Sequence, residues 1–490
     1  MMLSKTTKYW ESGVLQLIIV FLILQLAVTL LTNGFALTFD EALWQYIGRN
    51  WFRHGLVPYS GGVDNQSPLL FAIFGLSDRL FGVNYWFPRV IGTLCQTVGL
   101  LYVYKIAHYV AGKTAGIFAI IFYGLSLLWH VTGGQYTAYA ESYEVMFLVI
   151  AVYYFVTAQT NTNFIIAGCF AGLALGCRIS AFFVIGAILI SILSKGWKNL
   201  LPFCAGIWLS MVCLAMAGFL AGINLHDYYI YAFADNFNKG SMYDHTLLWK
   251  WQQFSLKFLS SQMLLFYPLV IGYVFIKKQV DIYILWFVFA FIGIAFIGEF
   301  TWIHLKELLP ALSLISAFTV VHLLSVYKIP LKYTLIVIVI AFFPFITEPV
   351  YVLKNQLFSK VSAESTACTP PYTWPDEGTR KKLGWWVRDH TNTQQKVFVA
   401  GFGSQILAYS ERQSVYFDEM LTPIAKKLLF KDLVTHKPAM ILVPLFPEYQ
   451  QYISGDERAF VDHLVADNYH LDKCMDSYNI YRLKDKTLPN

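Results

Sequence analysis

The stretch Thr38–Pro68, TFDEALWQYIGRNWFRHGLVPYSGGVDNQSP, decides how the rest of the chain is read. It is polar and follows directly on an apolar run, Gly13–Leu31, that is long enough to cross a bilayer. It opens on paired acids, Asp40 and Glu41, and continues as a short helix that ends near Gly55. On a helical wheel Leu43, Trp44, Ile47 and Trp51 share one stripe, with Gln45, Arg49 and Arg53 opposite. A helix so patterned is expected to lie in the membrane interface with its indoles at headgroup level. A Pro/Gly-rich loop then carries Asp64, Asn65 and Gln66 to Pro68. Two roles are open to the acids. Thr38-x-x-Glu41 matches a capping box, where a carboxylate stabilises the helix start by some tenths of a kcal/mol up to about 1. Acids where water, headgroups and protein meet also suit chemistry on a lipid-linked substrate. The roles are compatible if Glu41 caps while Asp40 faces the site.

Outward from this loop the composition is that of a polytopic membrane protein. Of 490 residues, 57% are hydrophobic, 17% aromatic and only 13% charged, which excludes a soluble enzyme on a single anchor. The net charge of +6 is modest, and the basic residues gather in short loops, so they report orientation and not nucleic-acid binding. The first apolar run has the length of a span and lacks a small-residue cleavage site, so no cleavable signal peptide is expected. Cys95, Cys169, Cys177, Cys204 and Cys213 fall in apolar runs and read as packing residues. Cys368 and Cys474 lie in the polar C-terminal part, where an oxidising compartment would allow them to pair.

About eleven spans are expected, near 13–32, 86–110, 114–131, 141–158, 164–178, 180–194, 200–222, 258–276, 281–298, 303–326 and 331–350. The pair 164–178 and 180–194 is short and broken around Arg178. Pro68–Gly82 is apolar but too short to span comfortably, and reads as a second interfacial or re-entrant helix. If the spans alternate, Lys5 and Lys8, Lys105 and Lys113, Lys195 and Lys198, Lys277 and Lys278, and Lys328 and Lys332 all fall on one side, the cytoplasmic one. The Thr38–Pro68 loop, the stretch Tyr136–Glu141, the loop 223–257 and everything after about 351 then face outward. The loop 223–257, with Asp227, Asp235, Asp244 and Trp249, reads equally as a substrate gate or a packing lid.

Residues 1–358 thus form a transmembrane domain and 359–490 a small α/β domain outside the membrane. Thr369-Pro-Pro and Trp374-Pro375 read as a linker. Helices are expected at Gly378–His390, Phe430–His436 and Glu457–Ala466, and strands at Lys396–Ala400, Ala439–Val443, Tyr469–Lys473 and Asn479–Leu483. Acceptor binding or covering of the site is the expected role of this domain.

Ionisable residues in the apolar part are the remaining candidates. Glu141 sits at the outer end of a span with Glu144 one turn in; an acid at membrane depth costs roughly 2.5–3.5 kcal/mol at the bilayer centre and is functional by default. The alternative is a residue facing outer water. Arg178 either holds a lipid phosphate or reaches the headgroups from a helix end. His304, with Lys306 and Glu307, begins a span on the outer side, as a structural or a catalytic residue. Arg79 and Arg89 flank the second interfacial helix, where headgroups or a donor phosphate would meet them. No zinc motif, P-loop or nucleotide fingerprint is present, so a sugar transferase of this shape needs a lipid-linked donor.

FDEALWQYIGRNWFRHG followed by PY and DNQSPLLF, then LFG and PR, an acid in AESYEVMF, and HLKELLPALSLISA occur in an order and spacing that resemble the dolichyl-phosphate-mannose-protein mannosyltransferases (glycosyltransferase family 39) and the bacterial aminoarabinose transferases, both in the glycosyltransferase C superfamily. The resemblance covers roughly 13–350 and, more loosely, the α/β domain. It implies transfer of a sugar from a polyprenyl-phosphate donor at the outer membrane face, with Asp40 as general base. Asp40, Glu41 and Glu141 are then the catalytic candidates, and Arg178, Arg89, His304 and Gln66 the donor-phosphate candidates. Arg178 stands where relatives often carry a lysine, and Glu141 where many have aspartate. Gln66-Ser67-Pro68 stands where many relatives show Glu-Lys-Pro or Lys-Pro-Pro, so the charged pair is missing and neither a metal nor another cofactor is expected. The expected partners are the donor, a lipid, glycan or protein acceptor, and membrane lipids. The expected setting is a bacterial inner membrane, N-terminus cytoplasmic and α/β domain periplasmic. A transporter or lipid flippase would show inverted repeats, and none is seen. A polysaccharide polymerase or ligase would centre on a large mid-chain outer loop.

Overall fold

The computed structural model describes residues 3–129, 136–234, 246–259, 262–297, 302–358, 376–401, 403–415, 430–445 and 455–484. In chain order they form α1 (Leu3–Leu30), α2 (Phe39–His54), α3 (Pro68–Phe81), α4 (Trp86–Leu128), α5 (Ala140–Val156), α6 (Asn161–Cys177), α7 (Ala181–Lys195) and α8 (Leu200–Leu220). There follow α9 (Leu247–Phe254), α10 (Tyr267–Lys277), α11 (Ile282–Ile297), α12 (Leu309–Tyr327), α13 (Leu331–Ala341), α14 (Phe343–Phe358) and α15 (Glu377–Asp389). The chain ends with β1 (Val397–Val399), α16 (Ser404–Ser410), β2 (Met440–Pro444), α17 (Gly455–Asn468), β3 (Tyr469–Met475) and β4 (Tyr478–Leu483). They gather into two units. One comprises Met1–Thr32, Arg89–Leu220 and Phe233–Leu357; the other comprises Asn33–Pro88, Ala221–Ala232 and Phe358–Asn490. An edge of the second unit falls at 357/358, and residues 33–88 group with the C-terminal part.

The first unit is helical, and helices lie where the apolar runs were expected. Length and composition alone give four that would cross a membrane among the described residues, 13–30, 86–128, 197–220 and 309–327. A fifth follows if α13 and α14, bent by 43° at their junction, count as one. The shortfall from eleven has local causes. Residues 86–131 were read as two spans, and α4 breaks inside at Ala111 and Gly112, where Gly112 has φ 80°. The stretch 258–276 is α-helical only from Tyr267, and the helices at 161–177, 181–194 and 282–296 are apolar but shorter than a span. α6 and α8 approach backbone to backbone through Gly168, Gly172 and Gly206. A Cβ on Gly168 would stand 2.0 Å from the Phe203 carbonyl oxygen, and one on Gly206 2.1 Å from that of Ile165. Glycines four residues apart permit this contact, which suits helices that share no hydrophobic drive in lipid.

The second unit joins a helical pair to an α/β layer. Its sheet has the order β1-β2-β4-β3, with β1 parallel to β2 and the other pairs antiparallel. Val397, Met440, Ile441, Leu442 and Ile480 are buried in it, so the apolar strands expected near 396–400 and 439–443 form its core. Cys474 is disulfide-bonded. Cys368, the linker through Pro375, and Asp235 and Asp244 of the mid-chain loop lie outside the described residues.

α2 corrects one expectation. It ends at Gly55 in the left-handed region, φ 71°, as its sequence indicated. Its polar face, however, is not turned to water or headgroups: Gln45 and Arg49 are as buried as Leu43 and Ile47. Two neighbouring helices explain this. α3 packs against α2 so closely that a Cβ on Gly48 would stand 2.4 Å from the Gly75 nitrogen. From α3, Asp78 supplies a buried carboxylate, 2.8 Å from Arg49 Nη2 and 2.7 Å from Arg53 Nε, so the arginines are paired inside protein. α16 also packs against α2.

Candidate active site

In the first unit the structure brings Glu141, Arg178 and His304 together. Each comes from a place where a helix starts or stops. Glu141 lies in the first turn of α5. Arg178 follows α6 with an extended backbone, φ −157° and ψ 139°, which turns its side chain out of the line of α6 and α7. His304 and Glu307 lie three residues apart in the 3-10 turn before α12, a spacing that places them on one face. The Arg178 Nη1 group donates to Glu141 Oε1 and, at 2.9 Å, to Glu307 Oε1. His304 Nε2 stands 3.7 Å from Glu141 Oε1. Ser180 Oγ lies 2.9 Å from Glu307 Oε1 and 3.2 Å from Glu144 Oε1, and Lys306 Nζ donates to Ser142 Oγ at 3.3 Å. Gln96, on α4, donates to the same Ser142 hydroxyl at 2.8 Å.

The acids are buried, with Glu141 4% exposed, Glu144 0% and Glu307 1%, as are Lys306 at 2% and His304 at 8%, while Arg178 is half-buried with its side chain 11% exposed. Such a group of charges persists in an apolar helical unit only if its members neutralise one another. Here Glu141 and Glu307 share Arg178, His304 stands beside Glu141, and Lys306 donates to Ser142 in the same group. Arg89 is also buried, near the start of α4, and its Nη1 donates to the Thr29 carbonyl oxygen at 3.3 Å. It precedes Gly92 and Gln96, which meet the start of α5, by about one and two turns. The sequence reading named Glu144, Lys306 and Glu307 without giving them a site role, and it missed Ser180, Ser142 and Gln96. The three-residue spacing of His304 and Glu307 was the available signal.

The remaining candidates belong to the second unit. Glu41 is fully buried and its Oε2 accepts from the Thr38 backbone N–H at 3.0 Å and from the Thr38 hydroxyl at 3.2 Å, the capping-box arrangement. Asp40, next to it, is half-buried. Gln66 lies in the loop before α3, where its carbonyl oxygen accepts from the Tyr59 hydroxyl at 2.7 Å. In the same loop Asp64 accepts from the Trp44 indole at 2.7 Å, fixing the loop to α2. On the other side of α2, the Tyr46 hydroxyl accepts from the Ser414 N–H, and burial raises its pKa above the ordinary tyrosine value. Among the described residues no group of three or more His, Cys, Asp or Glu is disposed to hold a metal ion.

Sequence and fold comparisons point the same way. The family described as dolichyl-phosphate-mannose-protein mannosyltransferase matches residues 65–221. Gln66, Arg89, Glu141 and Arg178 fall within that segment. No curated protein matches the chain. Among solved structures, ArnT from Cupriavidus metallidurans bound to undecaprenyl phosphate is similar at a TM-score of 0.63 and 11% identity, over 96% of this chain and 98% of that one. The oligosaccharyltransferase AglB from Archaeoglobus fulgidus, in complex with an inhibitory peptide and a dolichol-phosphate, is similar at a TM-score of 0.55 and 11% identity, over 99% and 75%. On sequence, residues 65–221 are similar to the dolichyl-phosphate-mannose-protein mannosyltransferase family, and on fold nearly the whole chain is similar to ArnT and AglB.

Proposed function

We propose that this integral membrane protein transfers a hexose or pentose from a polyprenyl-phosphate donor to a lipid, glycan or protein acceptor at the extracytoplasmic face of a bacterial inner membrane. The observation that carries the reading is the buried cluster of Glu141, Arg178, His304 and Glu307. Two of its members lie inside the segment that matches the mannosyltransferase family. The undecaprenyl phosphate bound to ArnT, a protein of the same fold, supports a lipid-phosphate donor.

In this reading the acceptor oxygen attacks the anomeric carbon as the bond from that carbon to the phosphate oxygen breaks. Asp40 takes the acceptor's proton, a step worth about 10²–10⁴-fold. Glu41 keeps its capping role and holds the start of α2, which carries Asp40. The polyprenyl phosphate leaves as an anion and needs donors more than an acid. Arg178, Arg89, His304 and Gln66 are assigned to it. Arg178 is already paired with Glu141 and Glu307, so it supplies directional N–H donors more than net positive charge. Glu141 then acts by holding Arg178 and His304 in place.

The test uses the purified full-length protein in liposomes with undecaprenyl-phosphate-linked hexoses and pentoses, comparing wild type with Asp40→Asn. Wild type should turn over at least one donor, and Asp40→Asn should be slower by about 10²-fold or more. Equal turnover in the two removes Asp40 as the base. Failure of the wild type to consume any lipid-linked sugar removes the whole reading in favour of transport.

A further inference from the structure

Four backbone groups around the start of α2 are gripped by side chains from the C-terminal part of the same unit. Leu37 N–H donates to the Tyr409 hydroxyl at 2.7 Å, and the Leu37 carbonyl oxygen accepts from Gln405 Nε2 at 2.9 Å. Ser404 Oγ donates to the Phe39 carbonyl oxygen at 2.9 Å, which lies on the peptide group joining Phe39 to Asp40. Lys381 Nζ donates to the Phe35 carbonyl oxygen at 2.9 Å. Gln405 is itself aligned, its Oε1 accepting from Arg380 Nη1 at 2.6 Å. Ser404 and Gln405 are buried at 0% and 1% exposure, and Tyr409 at 3%. Nearly three turns further along α2, Arg49 Nη2 donates to the Ala408 carbonyl oxygen at 2.8 Å, so α16 also reaches the body of the helix.

The clamp is directed at backbone, not at side chains, and it is concentrated on Leu37–Phe39. A surface cover over α2 would need apolar contact alone. Instead, three polar side chains from one seven-residue helix, α16, fix both sides of the Leu37 residue and the peptide that presents Asp40. A side chain whose preceding backbone is held at several points is confined in direction, and catalysis is sensitive to displacements of about 1 Å.

We propose that Ser404, Gln405 and Tyr409 are positioning residues for Asp40, and that the C-terminal α/β part is thereby a component of the catalytic apparatus and not only a cover or an acceptor platform. The proposal rests on the assignment of Asp40 as general base made above. Energy from bonds formed within the folded unit is used to fix the base before substrate arrives.

The experiment uses the full-length protein in liposomes with whichever undecaprenyl-phosphate sugar the wild type consumes, together with amide hydrogen exchange on the peptide covering 35–43. Tyr409→Phe removes only a hydroxyl, and Ser404→Ala is a second small change should the first fail to fold. Each should lower kcat by about 10- to 100-fold while leaving KM for the donor unchanged. Each should also speed exchange in the 35–43 peptide. On an Asp40→Asn background neither should cost anything further, because the positioned group is already gone. Tyr469→Phe, which removes a hydroxyl bond of the same kind to Pro438 in the sheet, should leave kcat unchanged. If Asp40→Asn is inactive but Tyr409→Phe and Ser404→Ala retain wild-type kcat, positioning is overturned and the base assignment survives. If Asp40→Asn turns over normally, the base assignment falls first. Unchanged exchange at 35–43 in both variants overturns the clamp whatever the donor result.

Discussion

Replacing Asp78 by leucine tests whether α2 is enclosed by protein or lies free at an interface. Asp78 is fully buried and accepts from Arg49 Nε at 3.0 Å, from Arg49 Nη2 at 2.8 Å and from Gln45 Nε2 at 3.1 Å. Arg53 Nε lies 2.7 Å from its other oxygen. Arg49 is 3% exposed, so losing Asp78 strands a buried cation. Breaking a buried pair in this way costs about 3–5 kcal/mol. For a unit of some 200 residues that corresponds to a fall in Tm of about 6–20 °C. The readout is thermal unfolding of the full-length protein in detergent, followed by tryptophan fluorescence, since Trp44 and Trp51 lie on α2. Two controls calibrate it. Arg53 and Glu411 are 3.9 Å apart and 30% and 34% exposed, so Glu411→Gln should change stability by less than about 1 kcal/mol. Converting the pair together, Arg49→Met with Asp78→Leu, should recover much of the loss, because no fully buried charge is then stranded and Arg53, 30% exposed, still reaches water. The Arg49 bond to the Ala408 carbonyl oxygen is still lost in that double variant, at about 1 kcal/mol. A change for Asp78→Leu alone within about 0.5 kcal/mol of wild type would refute the enclosed helix and restore the interfacial one.

Gly48→Ala places a Cβ against the Gly75 backbone, which has no flexible atom to yield, and should destabilise by about 1–3 kcal/mol in the same unfolding assay. Arg178→Ala should abolish sugar transfer and destabilise by about 3–5 kcal/mol, since Glu141 and Glu307 share that guanidinium. Arg178→Lys keeps the charge without the planar donor fork and should lose most of the activity as well; activity near wild type would show that charge, not the directed donors, is what Arg178 supplies. Cys474→Ser removes a disulfide and should cost about 2–5 kcal/mol, read as a lower Tm under non-reducing conditions that wild type matches only after reduction.

What the sequence could and could not convey follows from the range of each interaction. Helix starts, the Gly55 cap, the break at Arg178 and the four strands are written in neighbours a few residues apart, and the reading found them. The Thr38–Glu41 capping box is of the same kind. The polar face of α2 was misread because amphipathicity reports that two faces differ, not what covers them. Its counter-charge, Asp78, is 29 residues away from Arg49 in the chain. The charged cluster was legible in its members and not in its pairing: Arg178 meets Glu141 across 37 residues and Glu307 across 129. The burial of its acids nonetheless makes the pairing deducible after the fact, since an arginine, a lysine and three glutamates at the ends of apolar helices have few stable dispositions other than each other. α16 is the clearest loss. Seven residues, SQILAYS, are too few to show a period, and their polar members act on the backbone of Leu37 and Phe39 more than 360 residues earlier. Backbone groups carry no side-chain signature, so a contact aimed at them leaves no pattern at its target. The same property makes the clamp indifferent to which residues occupy Leu37 and Phe39, and it transmits to Asp40 through the peptide chain alone.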